Sequence, residues 1–182
     1  MNVWLTIPAL WAITAGQPVR KPVAPVAPKL TRNVSTVHPL ADFTVTVNPA
    51  TVSFTATNPN SAPVVAGSAT STVSWVYAPS GKGPWKLTVQ AAGGSFSNCS
   101  TVPVSAVTVS CATVAVNHGG SGSCAGPFPL SPSAQNVAAG NLQPNSDTVT
   151  ISLNFTLADS WKYIAESSPS CSLSLAYTAT VP

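Results

Sequence analysis

The side chains of this 182-residue chain that could do covalent or acid–base chemistry form a short inventory of four cysteines, two histidines and four carboxylates. The cysteines are Cys99, Cys111, Cys124 and Cys171, the histidines His38 and His118, and the acids Asp42, Asp147, Asp159 and Glu166. General acid or base catalysis wants paired carboxylates, or a histidine within reach of a nucleophile. One stretch has that outline: His118 precedes Gly122-Ser123-Cys124-Ala125-Gly126, a Gly-x-Cys-x-Gly shape like a nucleophile elbow. The elbow requires a strand-turn-helix context. Here it falls within residues 117–132, whose glycines and prolines rule out a regular strand and predict the longest irregular loop of the chain. A structural loop pinned by an oxidised Cys124 is the better reading, and no residue is assigned a catalytic role. Zinc sites favour close pairs such as Cys-x-x-Cys, whereas no two cysteines here are nearer than twelve residues. Neither a metal nor an organic cofactor is expected.

An even number of cysteines in a Ser/Thr-rich chain that starts with an apolar run reads as a disulfide framework for an oxidising compartment. Four cysteines allow three connectivities. Pairing of sequence neighbours, Cys99 with Cys111 and Cys124 with Cys171, is the favoured one. The remaining chemistry is that of flat rings. Trp75, Tyr77 and Trp85 alternate within strand-like segments and read as core, whereas Trp161 and Tyr163 lie outside any alternation and form the candidate ligand patch, suited to the apolar faces of sugars. Asn33, Asn98 and Asn154 match the N-x-Ser/Thr glycosylation pattern, which arises readily by chance in so hydroxyl-rich a chain.

The elements that hold these groups read as strands almost throughout. Only 6% of residues are charged, and the scarcity of Lys and Glu beside abundant Val and Thr predicts little or no helix. Residues 73–90 read as a β-hairpin, with Val73, Trp75 and Tyr77 on one arm, Trp85, Leu87 and Val89 on the other, and residues 78–84 as the turn. Phe43, Val45 and Val47 are followed, after Asn48-Pro49, by Val52, Phe54 and Ala56, which predicts two strands joined by a tight turn. Val107, Val109 and Cys111 form a further inward row. The longest alternation is Val149, Ile151, Leu153, Phe155 and Leu157, and a terminal strand alternates from Cys171 to Val181. Between the last two, Trp161 and Ile164 of residues 158–165 would cap an open end. Many short strands at this spacing predict one antiparallel β-sandwich domain over residues 41–182, immunoglobulin-like with Greek-key-type connections.

The first forty residues differ in kind. Residues 3–15 are apolar but too short to span a bilayer as a helix, so no integral membrane span is expected. They have the length of a signal-peptide core, yet Arg20 and Lys21 follow the run instead of preceding it. Residues 1–16 are therefore read as a signal peptide or as a retained strand. Residues 17–40 carry Pro18, Pro22, Pro25 and Pro28 with Arg20, Lys21, Lys29 and Arg32, an extended basic spacer or an arm that lies along another molecule. From residue 41 onward the chain is about neutral, which argues against nucleic acid as a partner.

Two stretches carry a family likeness. Trp85-Lys86-Leu87 resembles the first half of the WxL cell-wall-binding signature, although no second W-x-L occurs near the C-terminus. Residues 173–181, LSLAYTATV, are similar in texture to the terminal strands of that group and of fimbrial subunits. The resemblance implies a bacterial protein, secreted or exposed at the cell surface, that associates with itself, with other surface subunits or with a glycan or cell-wall polymer. The fimbrial likeness further implies assembly by strand exchange, in which one subunit's arm completes the next subunit's sheet. A secreted carbohydrate-binding module using Trp161 and Tyr163 is the alternative.

Overall fold

The structure, a computed structural model, describes residues 2–6, 44–55, 58–77, 82–145, 148–163 and 171–181. The described residues contain no α-helix, only a 3-10 turn at Val104–Ala106. Their strands are β1 (Asn2–Thr6), β2 (Val45–Asn48), β3 (Thr51–Thr55), β4 (Val64–Ala66), β5 (Ser71–Val76), β6 (Gly83–Ala91) and β7 (Ser95–Phe96). There follow β8 (Cys99–Pro103), β9 (Val107–Val116), β10 (Ser121–Cys124), β11 (Phe128–Pro129), β12 (Gln135–Leu142), β13 (Thr148–Ala158) and β14 (Cys171–Thr180). One sheet has the order β10-β12-β6-β14-β1-β3; the second runs β11-β9-β13-β5-β2, with β4 against the far end of β13. Strands β7 and β8 form a separate ribbon. The pairings are antiparallel except that β1 runs parallel to β14.

The protein is thus all-β and sandwich-like, with two sheets facing each other across one hydrophobic cluster. The alternation that predicts strands also builds this core. Val149, Ile151, Leu153, Phe155 and Leu157 of β13 are all buried, as are Trp85, Leu87 and Val89 of β6 and Cys171, Leu173 and Leu175 of β14. Each such side chain stabilises the fold by about 1.5–3 kcal/mol before the entropy of ordering is set against it.

Residues 73–90 do not form the expected hairpin. β5 pairs with β13 and β2 in the second sheet, whereas β6 pairs with β12 and β14 in the first. Trp75 and Trp85 therefore meet across the core, ring centroids 5.7 Å apart at an interplanar angle of 72°. Alternation reports which face of a strand is apolar and is silent about its neighbour. Two bulky faces bury more surface opposed than side by side, and the connection exceeds the usual hairpin loop of about 2–5 residues. The turn at Asn48–Pro49 behaves likewise, because β2 pairs with β5 in the second sheet while β3 pairs with β1 in the first.

The cysteines also pair otherwise than sequence neighbours would. The disulfides are Cys99–Cys171 and Cys111–Cys124. Cys171 begins β14, and the adjacent Ser172 exchanges backbone hydrogen bonds of 2.8 and 3.2 Å with Ser97, which brings the β7–β8 ribbon and Cys99 beside it. Cys111 stands opposite Leu153 and Cys124 opposite Ala138, so the second disulfide ties the two sheets together at one edge.

Candidate functional site

The stretch around Cys124 is a piece of sheet, not an irregular loop: residues 121–124 pair with β12 and residues 128–129 with β9. One of its glycines, Gly122, makes room for Trp85. Gly122, Gly140 and Trp85 lie in one row across β10, β12 and β6. A Cβ on Gly122 would come within 2.6 Å of the Trp85 ring and would also strike Val114, while one on Gly140 would fall on the Ser121 carbonyl. With Gly122 bare, the indole packs against it and donates its Nε1–H to the Ser121 carbonyl oxygen at 3.1 Å, while the bare Gly140 lets the β10 backbone approach. The propensity argument against a strand fails here because close approach, not chain flexibility, demands the glycines. Cys124 is bonded to Cys111 and holds no thiol for His118, which sits in the preceding turn at φ 49°. Among the described residues, no three His, Cys, Asp or Glu side chains cluster as metal ligands would, and no helix is long and apolar enough to cross a membrane.

The corner after β13 separates the two aromatics of the candidate patch. The Asp159 amide bonds to the Pro63 carbonyl at 2.8 Å, its Oδ1 accepts from the Ser160 amide at 2.8 Å, and the Tyr163 amide bonds to the Ser160 carbonyl at 3.0 Å. This tight turn throws Trp161 outward, 67% exposed, with its Nε1 donating to Asn60 Oδ1 at 3.2 Å. Asn60 is itself placed by a turn in which Asn58 Oδ1 accepts from the Asn60 amide at 2.9 Å. Tyr163 turns the other way and packs on the core; burial, and then the charge of Asp159, push its phenol above the usual value. Of the two, Trp161 alone presents its ring, beside Asn60. Ile164 lies outside the described residues.

The outer face of the second sheet continues from this corner. On β13 its residues are Thr148, Thr150, Ser152, Asn154, Thr156 and Ala158. Thr46, Ser74, Thr150 and Ala115 form one row across the sheet, and Asn48, Thr72, Ser152 and Thr113 the next. Thr70 Oγ1 donates to Asn154 Oδ1 at 2.6 Å. A shallow depression of about 440 Å³ opens at one end, lined by Thr44, Thr46, Ser74, Val76, Thr148 and Thr150. No Lys, Arg, Asp or Glu occupies the outward positions of these strands, whereas the first sheet shows Lys86 on its outer face. The largest exposed apolar side chains among the described residues belong to the same region. Val76, 55% exposed, pairs with Thr148 at one end, and Val64, 59% exposed, pairs with Ala158 at the other, where the chain leaves the strand three residues before Trp161. The polar half of the strand alternation supplies these hydroxyls, and only the order and register of the strands set them side by side in rows.

A third feature is the placement of β1, between β14 and β3. Val3 pairs with Cys171 and Leu5 with Leu173 on one side, and the same residues pair with Phe54 and Val52 on the other. The Pro-rich segment, residues 17–40, with its four cations and Asn33, lies outside the described residues; Asn98 and Asn154 are exposed. The fold and these features define a disulfide-bonded, all-β protein of two facing sheets. Compared with protein-family models, with curated proteins and with solved structures, the chain matches none.

Proposed function

We propose that the protein is an extracellular structural or adhesive subunit, an immunoglobulin-like β-sandwich with Greek-key-type connections that assembles into a surface layer or filament by exchanging its N-terminal strand. The observation that carries this reading is β1. It is the first strand among the described residues, yet it fills a slot between the last one and β3, and residues 7–44 link it to β2. Withdrawn, it would leave two unpaired strand edges, and buried backbone groups without partners are costly. The same strand from a second copy satisfies those edges equally well, so exchange between copies costs little enthalpy. Fully extended, a linking segment of thirty-eight residues reaches about 120 Å, enough to enter a neighbour. Two disulfides suit an oxidising exterior, and a neutral hydroxyl-rich surface suits dense packing without catalysis.

The test is the native mass by light scattering and electron microscopy, for the full chain and for a variant lacking residues 1–40. Oligomers or filaments are expected for the full chain. The truncated protein should lose them and recapture an added peptide of residues 1–16. Because truncation could impair folding, Trp4→Pro provides a second variant: it removes one backbone donor from β1 and leaves the segment's length intact. Assemblies that persist unchanged in both variants rule out exchange.

A further inference from the structure

We propose that the outer face of the second sheet is a binding track for a neutral, linear polysaccharide, running along β13 and anchored at Trp161. The inference extends the adhesive half of the reading above and is independent of strand exchange, since Trp161 and β1 share no pairing.

The ligand class follows from what the face displays and what it lacks. The outward positions of β2, β5, β9 and β13 carry no ionisable side chain to neutralise phosphates, carboxylates or sulfates, and at the Trp161 end the one cation, Lys162, is offset by Asp159 of the same turn, so a polyanion gains little attraction along the track. A protein partner fits no better. Its contact surface wants a contiguous apolar centre rich in aromatics, and here the exposed apolar side chains stand at opposite ends of β13 with hydroxyls between them. The same spacing argues against a lipid surface. An uncharged sugar chain presents alternating hydroxyl rims and apolar ring faces. The rims suit the rows of Thr and Ser hydroxyls, which both donate and accept, and the ring faces suit the Trp161 indole, held in orientation by Asn60.

The dimensions agree. From Thr148 to Ala158 the track measures about 33 Å at the strand rise of about 3.3 Å per residue, room for several sugar units in a row. The depression beside Val76 closes one end and Trp161 the other. Trp161 contributes a site for one ring, and the shallow hydroxyl rows contribute many weak contacts, so affinity should grow with chain length.

The test is titration calorimetry of the full-length protein against neutral glucan, mannan and chitin hexasaccharides and their disaccharides, with polygalacturonate as a charged control. One neutral series should bind, the hexasaccharide at least tenfold more tightly than the disaccharide. Trp161→Ala should weaken hexasaccharide binding at least tenfold, and Ser152→Glu, which sets a carboxylate in the middle of the track, should do likewise. Both variants should keep the melting temperature and the native mass of the parent. Absence of binding to every neutral hexasaccharide overturns the proposal, as does binding that neither substitution weakens. If Ser152→Glu breaks up oligomers while glycan binding is unchanged, the face is a contact between copies and the proposal is likewise wrong.

Discussion

Truncation of Trp85 to alanine probes the central packing arrangement. The indole is 1% exposed, meets Trp75 edge-on, packs against Gly122, and bonds through Nε1 to Ser121. Loss of a buried Trp side chain costs about 3–5 kcal/mol, cavity included. The hydrogen bond adds at most about 1 kcal/mol, since Ser121 is exposed and water can take over its carbonyl. Trp85→Ala should therefore cost about 3–6 kcal/mol, a large share of the 5–15 kcal/mol typical of a domain. Trp85→Phe, which keeps most of the buried ring, should cost about 1–2 kcal/mol. Gly122→Ala, whose Cβ would meet the ring at 2.6 Å, should cost about 1–3 kcal/mol by overpacking. In the Trp85→Phe background that cost should shrink, because the six-membered ring of the indole is gone, but it should not vanish, because Val114 remains in the way. Equilibrium denaturation followed by far-ultraviolet circular dichroism gives each value, provided the slope against denaturant is unchanged. A loss below about 1 kcal/mol for Trp85→Ala, or the same Gly122→Ala cost in both backgrounds, would refute the packing argument.

Peptide mapping without reduction should recover Cys99 linked to Cys171 and Cys111 linked to Cys124; fragments joining Cys99 to Cys111 would contradict the sheet arrangement. The sequence separations are 72 and 13 residues, so by chain entropy the first bond should stabilise by about 4.4 kcal/mol and the second by about 2.9 kcal/mol. Replacing each pair by alanines should show that order in melting experiments. Tyr177 has a buried hydroxyl with no hydrogen-bond partner among the described residues, and burial pushes its phenol well above the usual value. In the unfolded chain the phenol ionises near about pH 10, so above that pH the unfolded state sheds a proton that the folded state retains, and stability falls. Tyr177→Phe should be neutral or stabilising by up to about 1 kcal/mol at pH 7 and should lessen the alkaline loss. An identical loss in variant and parent between about pH 9 and 11 would show that the phenol is solvated. Trp161→Ala should change stability by no more than about 0.5 kcal/mol, because the ring is mostly exposed.

Much of this was legible from residue order alone, and for a definite reason. A strand's two faces are set by a period of two, so Val149, Ile151, Leu153, Phe155 and Leu157 declared their inward direction locally, as did Trp75 and Trp85. The all-β character followed from composition, and the cysteine count anticipated two disulfides. Pairing was not legible. Backbone N–H and C=O groups are the same at every residue and carry no address, so alternation cannot say whether β6 lies beside β5 or faces it. The answer came from burying two tryptophans against each other, and once β5 and β6 fell into different sheets, the partners of Cys99 and Cys111 and the place of β10 followed. Gly122 shows the difference most plainly. By local propensity it breaks strands, whereas in the folded protein it sits within one, because the space a side chain would need is taken by Trp85, thirty-seven residues earlier in the chain.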